Sequence, residues 1–184
     1  VFGGLGGGTS NAAFILKFLL KKKITNDIFD RVEKVVGSDL RLFFYKQGYL
    51  ENLTTIKAVK KRYKLFFLLS FPNINCSTRE IFSKVTKYSK KAKFNFQKIN
   101  TTKKFIKYIL EQNNELQSIV EKKYPVIKTL LTDIGIEKGC YFSRMSGSGS
   151  VCYGLFNSES NAKKALIKIK AKHPKFWFSI AKTV

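Results

Sequence analysis

Gly4-Leu5-Gly6-Gly7-Gly8-Thr9-Ser10-Asn11-Ala12-Ala13 runs without a break into Phe14-Ile15-Leu16-Lys17-Phe18-Leu19-Leu20, and this junction decides how the chain is read. Glycine lets a backbone take positive φ and approach a ligand closely. The first turn of the helix that follows leaves amide N–H groups unpaired at the positive end of its dipole, where an anion fits. Thr9 and Ser10 add hydroxyls that can cap the helix or reach a phosphate oxygen or its metal, and Ala12 and Ala13 let the first turn pack tightly. A flexible linker would not run into a stretch of helix-forming apolar and small residues, so the segment reads as a phosphate cradle opening a buried helix over residues 12–20.

Two common cradles are excluded by spacing. Gly3 and Gly8 match the glycines of G-x-x-x-x-G-K-[ST], but Thr9 stands where the lysine belongs. The dinucleotide pattern G-x-G-x-x-G fails because Gly4 and Gly6 lead to Thr9, and Gly6 and Gly8 lead to Asn11. What remains resembles the second motif of the GHMP kinases: a Gly-Leu-Gly turn, small and hydroxyl residues, then Ala-Ala on a helix. The triple glycine with Thr-Ser-Asn-Ala-Ala is most similar to the branch that phosphorylates 4-diphosphocytidyl-2-C-methyl-D-erythritol. Three further stretches resemble that branch in the same order: Gly37-Ser38-Asp39-Leu40-Arg41-Leu42-Phe43-Phe44, Pro72-Asn73-Ile74-Asn75-Cys76-Ser77-Thr78-Arg79-Glu80-Ile81-Phe82, and Arg144-Met145-Ser146-Gly147-Ser148-Gly149-Ser150. The closing Phe176-Trp177-Phe178 strand also suits its ending.

The resemblance implies an α+β fold, the two-domain GHMP kinase architecture with its N-terminal domain incomplete. Residues 1–60 would be a remnant of the ATP-binding domain and residues 61–184 the C-terminal domain. It implies ATP and Mg2+ as cofactors, and transfer of a phosphoryl group to the 2-hydroxyl of a small-molecule substrate, 4-diphosphocytidyl-2-C-methyl-D-erythritol, for isoprenoid precursor synthesis. Gly4, Leu5, Gly6, Gly7, Gly8, Thr9 and Ser10 would bind the ATP phosphates, with Ser10 as the metal contact. Asp39 would be the catalytic base, and Ser146, Gly147, Ser148 and Gly149 a loop on the substrate side. On residues alone, Asp39 after Gly-Ser also reads as a turn or cap, and Ser146–Gly149 equally as a hairpin turn. Two departures stand out: Arg41 occupies a position where the family has proline, and a glycine hairpin is reduced to Gln47-Gly48-Tyr49-Leu50-Glu51. Val1 already lies inside a motif that in the family follows a strand-rich segment, so the chain reads as a fragment, silent as a catalyst alone. Homoserine- or mevalonate-type kinases are the enzymatic alternative.

With 184 residues, 44% of them hydrophobic, the chain can bury a core of one domain or two small ones. Lys17 interrupts the longest early apolar run, and neither a membrane span nor a leader is visible. Cys76, Cys140 and Cys152 are odd in number and lack C-x-x-C spacing, which argues for a reducing cytoplasm over disulfides or a zinc site. The formal net charge of +23 invites a nucleic-acid module, the alternative outside enzymes. Yet only five of the 35 basic residues are Arg, the bidentate phosphate reader, and the lysines are spread along the whole chain. The expectation is therefore a solvated basic surface that steers anionic substrates, no nucleic-acid or membrane partner, and a monomer or homodimer.

Periodicity places a second helix on Ile28, Phe29, Val32, Val35 and Val36, closed by Gly37 as a left-handed cap. Residues 42–45 read as a short strand and 65–71 as a buried one, with a domain boundary near residues 57–64. Ser77 and Glu80 make a capping box before an apolar face of Ile81, Phe82 and Val85. The Lys-rich span 84–104 is a poorly patterned connection. Helical spacing then continues from Phe105 to Val120, and Pro125 opens another helix that Gly135 closes. Strands over 140–145 and 151–156 flank the Ser-Gly-Ser-Gly turn, followed by a helix with Ala162, Ala165, Leu166 and Ile169 inward and a last strand over 175–181. This order implies an antiparallel α+β layer. His173, the only histidine, reads as a solvated loop residue, which excludes a histidine metal cluster and a Ser-His-Asp site; Trp177 and the phenylalanines read as core.

Overall fold

The computed structural model describes residues 4–21, 24–52, 55–59, 62–86 and 99–183. They form two compact units, Gly6–Arg62 and Tyr63–Thr183, the latter together with Gly4 and Leu5.

In the first unit, helix α1 spans Gly7–Leu20, α2 Asn26–Val36, and a 3-10 helix Ser38–Phe44; strands β1 (Gly48–Leu50) and β2 (Ile56–Ala58) pair antiparallel. Thr25 caps α2 by accepting the Ile28 amide. Gly37 ends α2 with φ 110° and ψ 155°, a positive-φ extended conformation rather than the expected left-handed helical one, and its N–H donates to the Glu33 carbonyl. Of the strand expected over 42–45, residues 42–44 are the end of the 3-10 helix instead, and only Tyr45 is extended. Arg41 explains this: from a helical turn its guanidinium reaches both Glu33 carboxylate oxygens at 3.0 Å and Asp30 at 2.5 Å, while Phe44 packs edge-on against Phe29. An extended backbone would break these contacts.

Helix α1 is not buried as its composition suggests. Its packed side is the i, i+4 row Thr9, Ala13 and Lys17: Thr9 donates to the Val36 carbonyl at 2.9 Å, Ala13 is buried, and Lys17 donates to the Phe43 carbonyl at 2.6 Å with its ammonium over the Phe44 ring. That row takes the contact with α2 and the 3-10 helix. Phe14, Ile15, Phe18 and Leu19 are left exposed, Phe18 to 81%.

The second unit is built on a four-stranded, wholly antiparallel sheet in the order β4-β5-β3-β6, with β3 Phe66–Phe71, β4 Cys140–Met145, β5 Cys152–Phe156 and β6 Trp177–Lys182. The long apolar run thus becomes a central strand, as expected for one covered on both sides by neighbours. Helices α6 (Pro125–Gly135) and α7 (Glu159–Lys172) cover one face, with α5 (Gln117–Lys123) against α6. Leu68, Met145, Cys152 and Phe156 from the sheet meet Ile127, Leu130, Leu131 and Ile134 from α6 and Ala162, Ala165 and Ile169 from α7. Gly154 makes the close approach possible, since a Cβ there would collide with the Ile134 side chain. Pro125 stands in the first turn of α6, and Ser158 caps α7 through the Asn161 amide.

Several expectations change in this unit. Ser77 does cap α3 (Thr78–Ser83) through the Glu80 amide, but the Glu80 carboxylate turns to Lys84 and Lys123, and Phe82 is exposed while Ile81 is buried. The helical run from Phe105 is two helices, α4 (Thr102–Leu110) and α5, because residues 111–116 leave the helix and Asn114 bonds elsewhere. Residues 87–98 of the Lys-rich connection lie outside the described residues. Trp177 is 49% exposed, being at the start of the edge strand β6. His173 is not a solvated loop residue: its Nε2 lies 2.8 Å from Asp133 and its ring stacks on Phe176, fastening the end of α7 to α6. The paired Lys172 ammonium, then the His173 contact, hold the Asp133 carboxyl below the usual carboxylate range despite partial desolvation.

Candidate functional site

The sequence motif 4–10 falls on both units: Gly4 and Leu5 belong to the second, Gly6 to Ser10 to the first. In the first unit Gly6 takes φ 64° and ψ 27° immediately before α1, and no side chain caps that helix. The first-turn amides therefore have no side-chain acceptor, the condition under which a helix N-terminus takes an anion. The backbone there is also open. A Cβ added at Gly7 or Gly8 would meet nothing within 4 Å, whereas one at Gly6 would press on the Phe43 ring at 3.0 Å. The two hydroxyls differ. Thr9 is committed to the Val36 carbonyl; Ser10 makes no side-chain hydrogen bond among the described residues and is the hydroxyl free for a ligand.

The Thr9–Val36 bond brings the first turn of α1 to the end of α2, directly before Gly37-Ser38-Asp39. A Cβ on Gly37 would be 3.8 Å from Thr9 Oγ1. Asp39 sits in the first turn of the 3-10 helix, exposed and with no hydrogen bond or ion pair among the described residues. Arg41, which departs from the family pattern, is turned to Glu33 and Asp30 and lies over the Phe29 ring. Its role is to hold the 3-10 helix on α2, and it leaves Asp39 unpaired.

In the second unit the Ser146–Gly149 loop joins β4 to β5 and is closed by bonds from the Ser146 amide to Val151 and from the Gly149 amide to Ser146. Gly147 and Gly149 have φ 53° and 91°. The loop meets the other glycine motif: Ser146 Oγ donates to the Gly4 carbonyl at 2.6 Å, Gly4 has φ 70°, and a Cβ on Gly4 would collide with the Ser146 carbonyl. Beneath it, a Cβ on Gly149 would lie 2.8 Å from the Met145 sulfur and 3.2 Å from that of Cys76. Ser150 donates to the Ile74 carbonyl, and Thr78 and Ser148 share a hydrogen bond of 2.8 Å. Sequence reading singled out neither Asn114 nor Gln117. Asn114 Nδ2 donates to the Met145 and Gly147 carbonyls, and Gln117 Oε1 accepts the Met145 amide at 3.0 Å. Their signal was an Asn-Asn-Glu-Leu-Gln run interrupting a helical pattern.

The thiols take no part. Burial pushes Cys140 up to about 11 and Cys76 and Cys152 above their ordinary values, so all three are protonated near neutral pH and are poor nucleophiles. All are free, and no cluster of His, Cys, Asp and Glu able to hold a metal occurs among the described residues. No helix among them is long and apolar enough to cross a membrane.

Comparison with known proteins bears on this arrangement at three levels. Residues 98–175 match the family described as GHMP kinases C terminal. The chain is 34% identical, over 98% of its length, to the 4-diphosphocytidyl-2-C-methyl-D-erythritol kinase of Pelagibacter ubique, and spans 65% of that protein. Its fold superposes on a crystal structure of 4-(cytidine 5'-diphospho)-2C-methyl-D-erythritol kinase with a TM-score of 0.73 at 19% identity, covering all of this chain and 67% of that one. The homoserine kinase of Cytophaga hutchinsonii follows at 0.66 and 13% identity, over all of this chain and 66% of that one. The profile match lies on residues 98–175 and the likeness in sequence and fold runs along nearly the whole chain, so the chain is similar to the GHMP kinases over about two thirds of their length.

Proposed function

We propose that this chain carries the phosphate-binding helix, the base and the substrate-side loop of an ATP-dependent kinase that phosphorylates the 2-hydroxyl of 4-diphosphocytidyl-2-C-methyl-D-erythritol. The observation that carries the reading is the uncapped first turn of α1, whose glycines leave the backbone amides open to an anion. Phosphoryl transfer asks of a protein mainly positioning and charge neutralisation, and such a turn supplies both for a phosphate. Similarity to curated kinases of that substrate along nearly the whole chain supports the choice of acceptor.

In this reading, residues 1–60 contribute the nucleotide side and residues 61–184 the acceptor side. The uncapped amides of Gly7, Gly8 and Thr9 at the positive end of α1 hold phosphate oxygens. Ser10, with its hydroxyl uncommitted, is the residue that would hold Mg2+, which supplies neutralisation of charge on the transferred group. Asp39 accepts the proton of the attacking 2-hydroxyl, and the Ser146–Gly149 loop orients the phosphates of the acceptor. The excess of lysine raises the local concentration of both anionic substrates. Three free cysteines suit a cytoplasmic enzyme.

The test is phosphoryl transfer by the protein expressed from its complete coding region, followed by 31P NMR with Mg-ATP and the cytidyl substrate, homoserine or mevalonate in parallel. A new phosphate monoester is expected with the cytidyl substrate alone. Asp39→Asn should lower turnover on the order of 10²–10⁴-fold with nucleotide affinity nearly unchanged. Transfer to homoserine or mevalonate instead, or full turnover by Asp39→Asn, would overturn the reading.

A further inference from the structure

Asn114 lies in the non-helical connection between α4 and α5, and its side chain is fully committed. Nδ2 donates to the Met145 carbonyl at 2.9 Å and to the Gly147 carbonyl at 2.8 Å, while Oδ1 accepts the Leu116 amide at 3.0 Å. One planar amide thus ties the end of β4 and the middle of the glycine loop to the start of α5. Gln117 reinforces it, accepting the Met145 amide through Oε1 while its own Nε2 donates to Glu121 at 2.8 Å. From the opposite side the loop is held by Thr78 on Ser148.

Glycines in positive-φ conformations gain no side-chain anchoring of their own, so Gly147 and Gly149 are held by what grips their carbonyls and neighbours. We infer that Asn114 is a positioning residue for the acceptor phosphates, presetting the Ser146–Gly149 loop before substrate arrives. The inference rests on the reading of that loop as substrate-facing. Asn114 touches no reacting atom in this scheme; it acts through the loop, so its loss should weaken acceptor binding and leave the nucleotide side alone.

Asn114→Asp separates this role from helix capping. The aspartate keeps an acceptor for the Leu116 amide, but sets a carboxylate oxygen against two carbonyls that had received N–H donors. Amide hydrogen exchange across residues 146–150 should quicken about tenfold or more, because both N–H donors that grip the Met145 and Gly147 carbonyls are lost. KM for the cytidyl substrate should rise about tenfold, with kcat and KM for ATP within about twofold. Thr78→Val, which removes only the Ser148 bond, should shift both readouts the same way by less. If the aspartate variant fails to fold, Asn114→Ser keeps a short acceptor and drops both donors, and the same comparison is made on it. Unchanged loop exchange would overturn the inference, as would faster exchange with KM unmoved. If the protein phosphorylates none of the three acceptors, the proposed function has failed, while loop exchange still reads whether Asn114 clamps the loop.

Discussion

Helices α1 and α6 carry similar sets of large apolar side chains and use them in opposite ways. In α6, Ile127, Leu130, Leu131 and Ile134 are buried against a four-stranded sheet. In α1, Phe14, Ile15, Phe18 and Leu19 face outward, and the packed side is formed by Thr9, Ala13 and Lys17. The difference lies in what each unit offers. The second has strands of five or six residues whose inward side chains interdigitate with a helix; the first has a hairpin of two three-residue strands. An apolar stripe is a demand for a partner surface, and local sequence states the demand without the supply.

The largest effect should separate the two helices directly. Leu130→Ala should cost about 2–5 kcal/mol in urea unfolding, because the cavity opens in a close-packed core. Phe18→Ser on the exposed face should stay within about 0.5 kcal/mol. Equal losses at both positions would mean that the α1 face is packed in solution, and the contrast would fall.

A second contrast concerns the first turns. Pro125 fills that of α6, whereas α1 begins with glycines facing open space. Gly7→Val should therefore leave the melting temperature unchanged while weakening Mg-ATP binding about tenfold by blocking a charge-assisted N–H contact. Calorimetric titration with Mg-ATP measures this, and unaltered affinity would remove Gly7 from the phosphate site.

The smallest effect belongs to the clasp between α6 and α7. Pairing with Lys172, then His173, depresses the folded-state value of Asp133, so its stabilisation is present above the ordinary carboxylate value of about 3.9 and is lost as pH falls through the lower folded one. Asp133→Asn should lower stability by under about 1 kcal/mol near neutral pH, since the Lys172 partner is half exposed, and by less in acid. Chemical denaturation at pH 7 and pH 2.5 reads the difference; an equal deficit at both would show that packing of His173 on Phe176, not charge, fastens the clasp.

Much of the second unit was legible because its signals are local. Alternating or continuous apolar runs became β3, β4 and β5, Ser77 caps the helix it precedes, and Pro125 opens one. The glycine motifs were legible too, as positive φ at Gly4, Gly6, Gly147 and Gly149 is a property their residue type announces. The misses share a cause. Residues 42–45 have strand composition, but with Arg41 reaching to Glu33 and Asp30, residues 42–44 end a 3-10 helix and only Tyr45 is extended. His173 looked solvated until Asp133, forty residues away, was found beside it.

By itself, then, the order of residues determined where the backbone could turn, which helices would start where, and that a glycine-rich turn runs directly into a helix, since each follows from glycine's missing Cβ, side-chain capping or apolar period within a few residues. Only the tertiary structure decided that Thr9 is spent on Val36 while Ser10 is free, that Asp39 stays unpaired, and that Asn114 grips the loop at Gly147. Those outcomes depend on hydrogen-bond partners 27 and 33 positions distant, and a donor's choice among distant carbonyls is made by packing, not by its neighbours in sequence.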